Sequence, residues 1–180
     1  MIGLKQTLDY SDLANTPDDG NRYEIVEGNL LVTPSPTPLH QRISKRLQRQ
    51  LEEYFETRSI GEVFDAPVDV ILTFHDVVAP DLVVVADPKQ ITKRGIEGIP
   101  LLVVEILSSS TRDRDRTVKA SRYAEVGILH YWIVDPDVQR IECYRLQATT
   151  YTLLIDSTSP ARLIHPDFPD LQIDLATIWA

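Results

Sequence analysis

The chain has little sulfur, little glycine and no long apolar run. Its single cysteine, Cys143, excludes an internal disulfide. No Cys/His set stands at a zinc-finger spacing. No hydrophobic segment approaches the ~20 residues that cross a bilayer, so no membrane association is expected. The N-terminal stretch MIGLKQTLDY lacks a basic segment followed by an apolar core, so no secretory signal is read there and a cytoplasmic setting is expected. Disorder is excluded as the dominant state by 43% hydrophobic and 25% charged residues. A length of 180 residues suits one domain spanning 1–180. Such a domain can hide roughly 70% of its unfolded surface.

What is present is acid, arginine and a mixed pattern of strands and helices. A net charge of −9 disfavours a nucleic-acid coat protein, which binds by neutralising phosphates, but does not exclude an enzyme acting on nucleic acid. The cations are mostly Arg and they cluster: Arg42, Lys45, Arg46 and Arg49, then Arg112, Arg114, Arg116, Lys119 and Arg122. Each cluster reads either as a solvated helix face or as a phosphate-binding patch.

Along the chain, Asp9 to Leu13 opens a short helix. Tyr23–Val26 and Leu30–Val32 form a hairpin with its turn at Gly28-Asn29, ended by Pro34, Pro36 and Pro38. Ile43, Leu47, Leu51 and Phe55 recur every four residues and predict an amphipathic helix over 39–57, with the basic cluster on the opposite side. A β region follows at 61–72 with a turn at His75-Asp76. The apolar run 77–86, after Pro80, and the run 101–107 suit strands covered on both faces, and 89–98 reads as a connection. Ser108 to Thr111 supplies caps for a helix ending at Val126 with Gly127 beyond it. Strands are expected over 128–134, 138–146 and 150–155, and short apolar segments close the chain. The sum is an α/β protein: a mixed sheet flanked by at least two helices, with added hairpins.

Two of these strands carry a carboxylate where apolar residues are expected: Asp81 after Pro80, and Glu105 in mid-strand. On neighbouring strands they would form an oxygen-ligand site for Mg²⁺. Lys119 shares a helical stripe with Asp115, Tyr123 and Val126, the stripe that faces the sheet. It reads either as an i,i+4 ion pair with Asp115 or as a cation stabilising a phosphate under attack. His40 falls at the start of its helix towards the apolar face, where a packed histidine is the ordinary reading.

These residues resemble the PD-(D/E)xK nuclease superfamily and, more closely, the chain resembles the Uma-type family of putative restriction endonucleases. The similarity runs in order through Tyr23-Glu24-Ile25-Val26-Glu27-Gly28, Pro34-Ser35-Pro36 with His40, Pro80-Asp81-Leu82-Val83-Val84 and Val104-Glu105-Ile106-Leu107-Ser108. It continues through Asp115, Lys119 and Tyr123 to Tyr131-Trp132-Ile133-Val134-Asp135-Pro136. The resemblance implies a restriction-endonuclease-like fold and Mg²⁺-dependent hydrolysis of DNA phosphodiesters, with Mn²⁺ as a substitute. It implies Asp81 and Glu105 as metal ligands, Glu24 as an auxiliary acid and His40 as a further polar group. Leu107 occupies the place of the motif lysine, which makes Lys119 the replacement, displaced onto the helix. Cutting both strands of a duplex commonly takes two sites, so a homodimer is expected. Two other functions remain open on the residues alone: an inactive nuclease-fold domain that binds nucleic acid or a protein, and a hydrolase of small phosphoesters.

Overall fold

The computed structural model describes residues 7–159 and 161–180. The chain runs α1 (Tyr10–Leu13), β1 (Arg22–Val26), β2 (Asn29–Thr33), α2 (Pro38–Phe55), β3 (Glu62–Asp65), β4 (Val70–Thr73), β5 (Asp76–Val78) and β6 (Leu82–Val85). It continues with β7 (Ile91–Thr92), β8 (Gly95–Glu97) and β9 (Leu102–Ile106). A continuous helical stretch follows: α3 (Arg112–Arg114), a π-helical turn (Asp115–Lys119) and α4 (Ala120–Val126). Then come β10 (His130–Asp135), β11 (Arg140–Gln147), β12 (Thr150–Thr158), β13 (Arg162–Ile164), β14 (Gln172–Asp174) and α5 (Leu175–Trp179).

The central sheet has six strands in the order β12-β11-β10-β9-β6-β3. Only β9 and β10 are parallel; every other neighbour pair is antiparallel. This is the expected mixed α/β architecture. The expected extra hairpins join into a second six-stranded sheet, β2-β1-β5-β4-β8-β7. Side chains of the central sheet alternate between two cores, as the period of 2 demands. Leu82, Val84, Leu102, Val104, Ile106, Trp132 and Val134 point to the core shared with α2 and α5. Val83, Val85, Val103, Tyr131 and Ile133 point to the core shared with α4 and the second sheet. Both faces are covered, which is why these strands read as unbroken apolar runs.

Ile43, Leu47, Leu51 and Phe55 are all buried, as their spacing predicted. Each such side chain contributes about 1.5–3 kcal/mol on leaving water. Pro38 does more than end the preceding strand. It takes the first position of α2, where its missing N–H costs nothing, and the Thr37 hydroxyl accepts the His40 N–H.

Three expectations change. The first hairpin turns at Glu27-Gly28 rather than Gly28-Asn29, because Val26 pairs with Asn29. Both turn residues hold positive φ, 50° and 70°, the conformation a two-residue hairpin loop requires. The apolar run 77–86 is two strands of two different sheets, because Pro80 has no N–H to donate and the chain crosses from β5 to β6 there. The connection 89–98 folds into the hairpin β7–β8, which extends the second sheet.

Candidate active site

Leu82 pairs with Val104 in the antiparallel ladder of β6 and β9, so Asp81 and Glu105 come next, opposite each other. Opposed residues of an antiparallel pair share a face. Their odd positions put both carboxylates on the α4 side of the sheet. Asp81 precedes the first residue of β6 rather than lying within the strand, and is 5% exposed. Its Oδ1 accepts from both terminal nitrogens of Arg22, at 3.1 and 3.2 Å. Its Oδ2 accepts the Ile106 N–H at 2.8 Å and lies 3.1 Å from His40 Nε2. Burial pulls the Asp81 pKa up, but His40, Arg22 and the Ile106 amide outweigh it and hold the group below the usual carboxylate range.

Glu105 has the opposite balance. It is 3% exposed, and one of its oxygens, Oε1, accepts from Lys119 Nζ at 2.9 Å and from the Tyr123 hydroxyl at 2.8 Å. Burial, opposed by Lys119 but reinforced by Asp115, Asp81 and Glu24, pushes its pKa up to about 8. Two adjacent carboxylates with pKa values driven apart are a common mark of a site built for chemistry.

Lys119 is supplied by the helical stretch beyond β9. It is 3% exposed, with Nζ 2.8 Å from Glu24 Oε1, 2.9 Å from Glu105 Oε1 and 3.9 Å from Asp115 Oδ1. The i,i+4 partner Asp115 is therefore the most distant of the three. Burial lowers the lysine pKa, but Glu105, Glu24 and Asp115 outweigh it and hold the ammonium above its ordinary value. Glu24 belongs to β1 of the second sheet, and its Oε1 also accepts the Ala79 N–H at 3.0 Å. The cluster thus joins both sheets and the helix. Asp115 Oδ1 is buried without a hydrogen-bond partner, and burial raises its pKa.

All five residues singled out in the sequence meet here: Asp81, Glu105, Lys119, Glu24 and His40. They line one cleft of about 460 Å³, walled by Ser108 to Thr111 and Pro34 to Thr37. His40 is a partner of Asp81 rather than a packed core histidine. Leu107 is 3% exposed in the second core. Arg22 is the residue that sequence reasoning missed; an arginine opening an edge hairpin gives no periodic signal. The Arg112–Arg122 cluster is not a free phosphate patch. Arg112 pairs with Asp135 and Asp137, Arg116 with Glu142, and Arg122 with Asp76, while Arg114 bonds the Thr33 hydroxyl. On α2, by contrast, Arg42, Lys45 and Arg49 form no ion pair among the described residues, and Lys45 lines a second cleft of about 740 Å³ that shares Arg22, His40 and Asp81 with the first.

A sequence profile of the Uma2 family, described as "putative restriction endonuclease", matches residues 8–176. Among solved structures, the fold is similar to that of a crystal structure described as a putative nuclease belonging to DUF820 from Anabaena variabilis ATCC 29413. The TM-score is 0.75 at 19% sequence identity, with 96% of this chain and 97% of that one covered. No curated protein matches the chain. No helix among the described residues is long and apolar enough to cross a membrane.

Proposed function

The chain belongs to the Uma2 family of putative restriction endonucleases, and from that premise we propose that it is a Mg²⁺-dependent endonuclease hydrolysing phosphodiester bonds in DNA. The observation that carries this reading is Lys119, bonded to Glu105 and Glu24 beside Asp81, on a helix that covers the Asp81–Glu105 pair. The whole chain, 1–180, acts as one nuclease unit, as a cytoplasmic homodimer when both strands are cut.

The donor set fits a hard divalent cation. Asp81, Glu24, Glu105 and Asp115 offer four carboxylates against Lys119, Arg22 and, at the cleft wall, Arg114, which leaves an excess of negative charge in a largely buried cluster. Without a cation that excess must be met by protons, in keeping with the raised pKa values of Glu105 and Asp115. Asp81 and Glu105 would hold Mg²⁺ (or Mn²⁺), which when bound supplies Lewis-acid stabilisation of phosphate charge and a more acidic water. Lys119 offsets charge on the phosphoryl oxygens as water forms its P–O bond and the diester P–O bond breaks. Glu24 fixes the ammonium in place. Arg22 and His40 hold Asp81 in one orientation by occupying opposite oxygens. Lys45, with Arg42 and Arg49 nearby on α2, supplies unpaired positive charge beside the cleft for the DNA backbone.

The test is relaxation of supercoiled plasmid in Mg²⁺ or Mn²⁺ by the wild type, Glu105→Ala and Lys119→Ala. Metal-dependent nicking that disappears in both variants is the expected result. Loss in Glu105→Ala alone would remove Lys119 from the mechanism. One observation favours a second reading, an inactive nuclease-fold binder: the richest arginine cluster is spent on internal ion pairs. DNA retention without cleavage by the wild type would select it.

A further inference from the structure

A second polar cluster lies away from the cleft, on the other face of the central sheet. His130 begins β10 and is 2% exposed; His165, just past β13, is 1% exposed. Asp167 follows. Glu105 is in register with Ile133, three residues along β10 from His130. The two clusters are therefore roughly 10 Å apart along the strand as well as on opposite faces.

In each of the three residues one polar atom is buried without a hydrogen-bond partner: His130 Nδ1, His165 Nε2 and Asp167 Oδ2. One ligand atom from each residue can be chosen so that all lie within 4.8 Å of one another. The remaining atoms of two of these residues are engaged. His165 Nδ1 accepts the Asp167 N–H at 3.1 Å, and Asp167 Oδ1 accepts from Arg145 at 3.0 Å. The rings are held by packing: Trp132 stacks on His165 at 5.5 Å, and Phe168 lies 4.6 Å from both His130 and His165. Buried polar atoms are rarely left bare, and three of them in side chains whose ligand atoms gather within 4.8 Å call for a shared partner.

We propose that His130, His165 and Asp167 form a binding site for a transition-metal ion of the Zn²⁺ type, separate from the carboxylate cleft. Two imidazoles and one carboxylate select such an ion over Mg²⁺, which prefers oxygen alone. Bonds of ~2.0–2.1 Å hold tetrahedral ligand atoms ~3.4 Å apart, so the three side chains draw together on binding. Ligation through His165 Nε2 moves that ring's proton to Nδ1 and gives up the Asp167 N–H bond. One neutral hydrogen bond is a small loss against a metal–nitrogen bond. The ion would tie the segment around β13 and Phe168 to the start of β10. Three protein ligands leave its fourth position to water.

Equilibrium dialysis of the full chain against micromolar ZnCl₂, with excess MgCl₂ added to compete for the carboxylate cleft, tests this directly. About one Zn²⁺ per chain is expected in the wild type and in Glu105→Ala, with loss in His130→Phe, whose ring keeps the contact with Phe168. Zn²⁺ should raise the melting temperature of the wild type by a few degrees and leave His130→Phe unmoved. Should that variant fail to fold, the wild type decides: Co²⁺ must give the visible absorption of a tetrahedral site, and Zn²⁺ must shift the histidine ring ¹⁵N resonances. No bound zinc, or zinc retained by folded His130→Phe, overturns the proposal. The first of these outcomes leaves a buried water as the shared partner of the three atoms.

Discussion

Lys119 and Arg122 stand three residues apart on one helical stretch, and both reach buried carboxylates, yet their surroundings differ in kind. Arg122 grips Asp76 with two nitrogens, at 2.9 and 2.7 Å, while the Glu27 N–H and the Thr73 hydroxyl complete the acid's partners. Asp76 is fully buried and one cation answers it. Burial raises its pKa, but Arg122, the Glu27 amide and Thr73 outweigh that and hold it below the usual range. Lys119 answers Glu105, Glu24 and Asp115 together, and a hydrogen-bonded Tyr123 adds no charge. The first arrangement is closed and structural. The second carries surplus negative charge in a cleft, a condition that costs stability and is useful only if something positive arrives.

Lys119→Ala gives the largest expected effect. Removing the ammonium should lower metal-dependent DNA cleavage by about 10²–10³-fold, measured as initial nicking rate at saturating Mg²⁺. Equal rates in variant and wild type would break the functional half of the comparison.

Asp76→Asn should come next. It leaves Arg122 without its ionic partner and should cost about 2–3 kcal/mol in urea unfolding at pH 7, below the full cost of breaking a buried pair because the arginine is 24% exposed. The lowered pKa sets the sign. The Asp76 contribution is present above the unfolded value and lost as pH falls through the folded one, so variant and wild type should converge in acid.

Glu105→Gln should show the reverse. In EDTA the wild type should lose stability as pH rises from about 4.5 to about 8, because the folded state holds a proton that the unfolded chain has released. The variant lacks that slope and should be about 1–2 kcal/mol more stable at pH 8 while inactive. A stability loss at every pH would mean that Glu105 is another closed pair.

Asp156→Asn serves as the smallest case. Its exposed pair with Arg140 should change unfolding free energy by at most about 0.5 kcal/mol.

Much of this was legible in the sequence, for reasons that can be named. The α2 stripe and the β9 and β10 runs follow from period and burial, and Asp81 and Glu105 stood out because carboxylates interrupt apolar strands. Lys119 was legible from its stripe. What escaped was whatever depends on distant pairing. The division of residues 77–86 between two sheets turns on where β1 and β3 pair. The hairpin at 91–97 has too few residues to show alternation. Arg22 acts only through the loop that brings Asp81 to it. His130 and His165 lie far apart in sequence at no recognisable spacing, and only the fold makes them neighbours.

The π turn at Asp115–Lys119 has one further consequence. Its wider coil absorbs an extra residue, and a residue is worth about 100° of rotation in a regular α-helix. The turn therefore acts as a phase adjuster between two separately keyed ends. Upstream, the Tyr131 hydroxyl bonds the Asp115 carbonyl; downstream, Arg122 and Tyr123 meet Asp76 and Glu105. Val118, 45% exposed in the turn, is free to vary in identity but not to be deleted. Its loss would leave every side chain of the site present in the sequence while rotating half of the helix out of register with the other half.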